Sequence, residues 1–84
     1  MAKCRIDLRG SFKRDLRRLG EPLKRRVLER VELLRGDPYL GEPLRGPLKG
    51  LRKLVVGKYR VLYCPKPCRV ILIKVRHRES VYSR

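Results

Sequence analysis

Eighty-four residues make one small domain with a thin core, because a chain this short buries only about 60–65% of the surface its unfolded form exposes. A hydrophobic share of 42% excludes a disordered tail, and no apolar run approaches the ~20 residues a membrane helix needs. Twenty-four Lys and Arg against eight Asp and Glu give a formal charge of +16, spread unevenly: residues 1–42 hold 12 basic and 7 acidic side chains (net +5), residues 43–84 hold 12 and 1 (net +11). Such asymmetry predicts a polyanion met mainly by the C-terminal half, nucleic acid first and an acidic protein second. The opening MAKCRIDLR lacks the apolar stretch of a secretory signal, so a cytoplasmic protein with no membrane association is expected. The lack of Asn and Gln beside abundant Lys and Arg hints at a thermophilic source.

In chain order, Cys4, Ile6 and Leu8 alternate with polar residues and predict a half-buried first strand. Ser11 is positioned as an N-cap, and Phe12, Leu16 and Leu19 follow at helical spacing until Gly20. Pro22 suits the first turn of a second helix, whose apolar stripe is Leu23, Val27, Val31 and Leu34 with Leu28 beside it. Gly36-Asp37-Pro38 stops that helix, and the two helices form an αα-hairpin. Residues 37–50 (DPYLGEPLRGPLKG) read as one irregular connection. Three strands follow: LRKLVV (51–56), YRVLYC (59–64) and RVILIKV (69–75). The whole of 1–84 is therefore expected to be a single α+β domain of order β-α-α-β-β-β, a mainly antiparallel four-stranded sheet with the αα-hairpin on one face.

Gly57-Lys58 is a two-residue hairpin loop with glycine first, which fixes the pairing: Val56 with Tyr59, Val55 with Arg60, Leu54 with Val61, Lys53 with Leu62. Paired residues share a face. Leu54, Val56, Tyr59, Val61 and Tyr63 form the core face, joined by Arg52, and Lys53, Val55, Arg60 and Leu62 form the other. A three-residue loop, Pro65-Lys66-Pro67, pairs Arg60 with Leu72. It sends Ile71, Ile73 and Val75 to the core and Val70, Leu72, Lys74, Arg76 and Arg78 to the opposite face. Lys53, Arg60, Lys74, Arg76 and Arg78 then converge on one surface with Val55, Leu62, Val70 and Leu72 as an exposed apolar patch among them. Clustered cations beside exposed apolar surface point to phosphate contact and to an amphipathic partner.

The cysteines are Cys4, Cys64 and Cys68. Cys64-Pro-Lys-Pro-Cys68 spans a turn that leaves three readings open: free thiols, a Cys64–Cys68 disulfide, or a metal site for which only His77 remains as a further ligand. No metal and no cofactor is expected.

The order of elements, LRGPLKGLRKLVVGKYRVLY (44–63 with its leading segment Leu44-x-Gly46) and the ending VRHRESVY together resemble the RelE/ParE toxin superfamily of toxin–antitoxin systems. The most specific parts are Val56-Gly57-x-Tyr59-Arg60-Val61-x-Tyr63 and His77-Arg78-x-x-x-Tyr82. The resemblance implies a ribosome-dependent endoribonuclease that cuts mRNA in the ribosomal A site without metal, and a cognate antitoxin that wraps a helix and an extended segment around it. By the same resemblance the family's middle-strand arginine falls on Arg60, its basic residue on the preceding strand on Lys53, its late arginine on Arg78 and its C-terminal tyrosine on Tyr82. Substrate contact is assigned to Arg52, Lys74, Arg76 and His77, and antitoxin contact to Val55, Leu62, Val70 and Leu72. Two departures stand out: Lys53 has no second lysine at alternate spacing, and no C-terminal helix is expected.

Metal-free RNA cleavage uses the 2′-hydroxyl as nucleophile and leaves a 2′,3′-cyclic phosphate and a 5′-hydroxyl. Arg60 and Arg78 suit the developing phosphorane charge. Lys53 suits the base if neighbouring cations make it give up its proton, Tyr82 or an arginine suits the acid, and His77 is the alternative acid or base. Rival readings are a ParE-like gyrase inhibitor and a module that binds nucleic acid or antitoxin without catalysis.

Overall fold

The computed structural model describes residues 3–81. Strand β1 (Arg5–Leu8) leads into helix α1 (Gly10–Arg17) and helix α2 (Leu23–Glu32). A short strand β2 (Glu42–Pro43) precedes β3 (Arg52–Val56), β4 (Tyr59–Lys66) and β5 (Arg69–His77), and a four-residue helix α3 (Arg78–Val81) follows. The α+β class and the order of the main elements are as the sequence predicts. The sheet, however, has five strands in the order β1-β5-β4-β3-β2, with β1 parallel to β5 and the other neighbours antiparallel. The fifth strand is the two-residue β2, inside a segment too rich in Gly and Pro to show periodicity. The expected end without a helix is also corrected, because α3 begins at Arg78.

The helices bury their apolar stripe as expected. Phe12, Val27, Val31 and Leu34 pack with Leu54, Val56, Val61, Tyr63, Val70, Leu72 and Val75 in one core, and Leu16, Leu19 and Leu23 flank it. Each fully buried side chain of this kind contributes about 1.5–3 kcal/mol of transfer free energy. Leu28 falls outside the stripe and is exposed. Ser11 is not the N-cap: Arg9 is, with extended backbone and no side-chain cap bond. The Ser11 hydroxyl instead donates to the Ile73 carbonyl.

The β3–β4 hairpin has the predicted register, from Val56 opposite Tyr59 to Lys53 opposite Leu62. The β4–β5 pairing differs. Lys66 pairs with Arg69, so the loop is Pro67-Cys68 rather than three residues, and Arg60 lies opposite Arg76 rather than Leu72. A β-bulge offsets the ladder, because Leu62 pairs with Lys74 while Tyr63 pairs with Leu72, leaving Ile73 extra. One inserted residue reverses the alternation that precedes it. Val70 and Leu72 are consequently fully buried on the helix face, and only residues after the bulge keep their predicted side. The exposed apolar patch of Val55, Leu62, Val70 and Leu72 is thus not formed. Val55 alone is exposed, and Leu62, although on the face away from the helices, is buried between Lys53 and Lys74 in its cross-strand row.

Among the described residues no helix is long and apolar enough to cross a membrane.

Candidate functional site

The face opposite the helices is organised in cross-strand rows. One row runs Glu42, Lys53, Leu62, Lys74, and the next runs Val55, Arg60, Arg76. Lys53, Arg60 and Lys74 are half-buried on this shared surface. Lys53 is not surrounded by cations alone, since β2 brings the Glu42 carboxylate to 3.5 Å from its Nζ. This carboxylate partly neutralises that corner of the cluster.

Arg60 and Arg76 sit directly opposite each other, a repulsive placement. The fold separates their charges by drawing the two guanidinium groups in different directions. Arg60 Nη1 donates to the carbonyls of Gly57 (3.1 Å) and Tyr59 (3.0 Å), back toward the hairpin turn. That turn requires a glycine, whose φ is +60°. Arg76 Nη1 reaches the Asp15 carboxylate of α1 at 2.6 Å. Asp15 is buried, and its Oδ2 also accepts the Val75 N–H at 2.9 Å. These bonds fall where β1 ends and the outer edge of β5 would be unpaired. Arg9 N–H to the Leu72 carbonyl and Ser11 to the Ile73 carbonyl complete the same seal.

Arg78 opens α3 instead of extending β5, so strand parity no longer sets its direction. Its backbone N–H donates to the Lys58 carbonyl at 2.7 Å, anchoring it on the turn whose other residue, Gly57, receives Arg60. Arg60 and Arg78 are therefore tethered to adjacent residues of one turn. Tyr82 lies outside the described residues.

Two of the expected substrate contacts are placed elsewhere. Arg52 belongs to the helix-side register and is held by the 37–41 loop: its Nη1 donates to the carbonyls of Tyr39 and Gly41, and its guanidinium stacks 5.0 Å from the Tyr39 ring centre. His77 pairs with Tyr59, also on the helix side, and meets its ring edge-on at 5.4 Å. Its Nδ1 accepts the Glu79 N–H at 3.2 Å, holding the first turn of α3. Lys74 shares the face with Lys53 and Arg60. Arg76 shares it by register, but its charge is committed to Asp15.

Asp15 and Glu42 are the site-shaping residues that sequence reasoning passed over. Asp15 did carry a signal, because it lies three residues after Phe12 and one before Leu16, on the apolar stripe. A carboxylate there needs a buried partner. Gly41 is a third. Its N–H donates to the buried Tyr63 hydroxyl at 2.9 Å, and a Cβ at this position would collide with the Lys53 carbonyl and lie 2.8 Å from the Tyr63 oxygen.

A family model described as "ParE toxin of type II toxin-antitoxin system, parDE" matches residues 6–82. The chain belongs to the RelE/ParE family of toxins. Among curated proteins none matches. The fold agrees with solved relatives. The toxin–antitoxin complex RelBE2 from Mycobacterium tuberculosis contains a chain with a TM-score of 0.83 at 28% identity, covering 92% of this chain and 93% of that one. The intact RelBE toxin–antitoxin complex of E. coli gives 0.78 at 19% identity, covering 88% and 95%. The chromosomal ParDE system of P. aeruginosa gives 0.71 at 13%, covering 89% and 96%. RelE/ParE membership makes this chain a toxin of a toxin–antitoxin system.

Proposed function

We propose that this toxin, acting as a single domain of residues 1–84, is a ribosome-dependent endoribonuclease that cleaves mRNA in the ribosomal A site in the cytoplasm. The observation that carries the reading is the surface shared by Lys53, Arg60 and Lys74, with Arg78 anchored on the same turn as Arg60. Arg60 spends Nη1 on backbone carbonyls, and among the described residues nothing else engages its guanidinium. Its remaining donors face a phosphate with the side chain already ordered, which lowers the entropic cost of binding. In this reading Arg60 and Arg78 stabilise the charge that develops as the 2′-hydroxyl attacks the adjacent phosphate, Lys74 holds a neighbouring phosphate, and Tyr82 protonates the departing 5′-oxygen. Lys53, beside Glu42, serves as a phosphate contact, and it acts as the base only where the bound RNA displaces that carboxylate. No metal or cofactor takes part in the scheme. A cognate antitoxin neutralises the toxin, a partner class supported by relatives solved as toxin–antitoxin complexes.

A second reading, gyrase inhibition, is favoured by the description of the matching family model and by the ParDE neighbour. Purified protein is added in parallel to translating ribosomes and to gyrase with supercoiled DNA. Site-specific mRNA cuts ending in a cyclic phosphate support the first reading, and gyrase-dependent DNA breaks with intact mRNA support the second. Neither product would leave a binding-only protein.

A further inference from the structure

The turn between β4 and β5 lies against the start of β1, well away from the cationic rows. The parallel pairing of Arg5 with Arg69 continues backward to set Cys4 beside Cys68, and the Arg5 N–H donates to the Cys68 carbonyl at 3.2 Å. The two thiols are near enough for each to feel the other's charge. Cys68 is exposed in a left-handed turn conformation (φ +54°), and Cys4 is half-buried behind it. Cys64 pairs with Ile71 on the face away from the helices, so the within-turn Cys64–Cys68 pairing that the sequence left open is not the juxtaposition the fold makes. In front of Cys68 is a recess of about 410 Å³ lined by Arg5, Lys66, Pro67, Cys68 and Arg69. Among the described residues its three basic side chains have one acidic neighbour, since Arg5 and Arg69 share Asp7.

We propose that Cys4 and Cys68 are a resolving pair oxidised to an intramolecular disulfide by anionic low-molecular-weight disulfides, which the basic recess draws to Cys68. The exposed Cys68 thiolate attacks one sulfur of the small disulfide RSSR, forms a Cys68–SR mixed disulfide and releases RSH. The Cys4 thiolate then attacks the Cys68 sulfur, forms the Cys4–Cys68 bond and releases the second RSH. Two electrons pass from the protein to RSSR, and the two thiol protons leave on the two RSH molecules. Partial burial and the neighbouring Cys68 push the Cys4 thiol up from its ordinary value, consistent with Cys68 as the first nucleophile and Cys4 as the second. The bond would close a loop from residue 4 to residue 68 and staple the edge strand β1, which the sheet holds on one side only.

The test treats the purified protein with oxidised glutathione or with dithiothreitol, followed by alkylation, intact mass and peptide mapping. The expected result is one alkylatable thiol at Cys64, a linked pair of peptides containing Cys4 and Cys68, and a melting temperature higher by at least about 5 °C than in the reduced form. Cys64→Ser should behave as the parent, and Cys4→Ser should stop at a stable glutathione adduct on Cys68. Three alkylatable thiols after oxidation, a Cys64–Cys68 link, or a parent adduct that never resolves would each overturn the proposal. These readouts are independent of RNA cleavage.

Discussion

Asp15→Ala should be clearly destabilising, and the reason can be apportioned. The substitution orphans the Val75 N–H, which Asp15 accepts at 2.9 Å in a buried setting. A buried donor left unpaired costs about 1–3 kcal/mol. It also removes the Arg76 ion pair, but that guanidinium is 39% exposed, so solvent screening limits this loss to about 1 kcal/mol. Alanine returns about 0.6 kcal/mol of helix propensity over aspartate. The net expectation is a loss of about 2–3 kcal/mol, or about 10–20 °C in melting temperature for a domain of this size. Asp15→Asn keeps an oxygen for Val75 and should cost about 1 kcal/mol. Urea unfolding followed by circular dichroism measures both. An alanine variant within about 0.5 kcal/mol of the parent, or an asparagine variant as damaged as alanine, would refute the view that sealing the β5 edge is what Asp15 mainly does.

Two further outcomes follow from the loop that covers Tyr63. Gly41→Ala forces a methyl group against the Lys53 carbonyl and the Tyr63 hydroxyl, neither of which can retreat, and should destabilise by about 1–3 kcal/mol in the same urea assay. Burial pushes the Tyr63 phenol above the ordinary tyrosine value. A folded-state value raised above the unfolded one gives stability that is full at lower pH and is lost as pH rises through the folded value. The parent should therefore lose more stability than Tyr63→Phe between about pH 9 and about pH 11, after subtraction of their difference at neutral pH.

The parts of this fold that were legible in the sequence are those fixed by local chemistry. Gly57-Lys58 admits one hairpin register, and that register alone put Lys53 and Arg60 on a common face. The helix stripes were legible because Phe12, Leu16 and Leu19 in one segment, and Leu23, Val27, Val31 and Leu34 in the next, recur at helical spacing. The β4–β5 ladder was not, because Val70 to Ile73 are all apolar and period-two reasoning has no polar residue there to mark a side. A single bulge at Ile73 then moved Val70 and Leu72 into the core. Arg52 looked anomalous on the core face because its partners, the Tyr39 and Gly41 carbonyls, belong to a loop without a pattern. Glu42 and the Cys4–Cys68 contact were invisible for a related reason: both depend on which segments become neighbours, which no local spacing encodes.

The central claim is that Arg60 presents a pre-ordered guanidinium to the scissile phosphate. Single-turnover cleavage of mRNA on programmed ribosomes, comparing the parent with Arg60→Ala at matched ribosome occupancy, tests it most directly. The account predicts a cleavage rate lower by roughly 10²–10³-fold with unchanged folding and unchanged antitoxin binding. Cleavage by Arg60→Ala at the parental rate, with the same cyclic-phosphate ends, would contradict it.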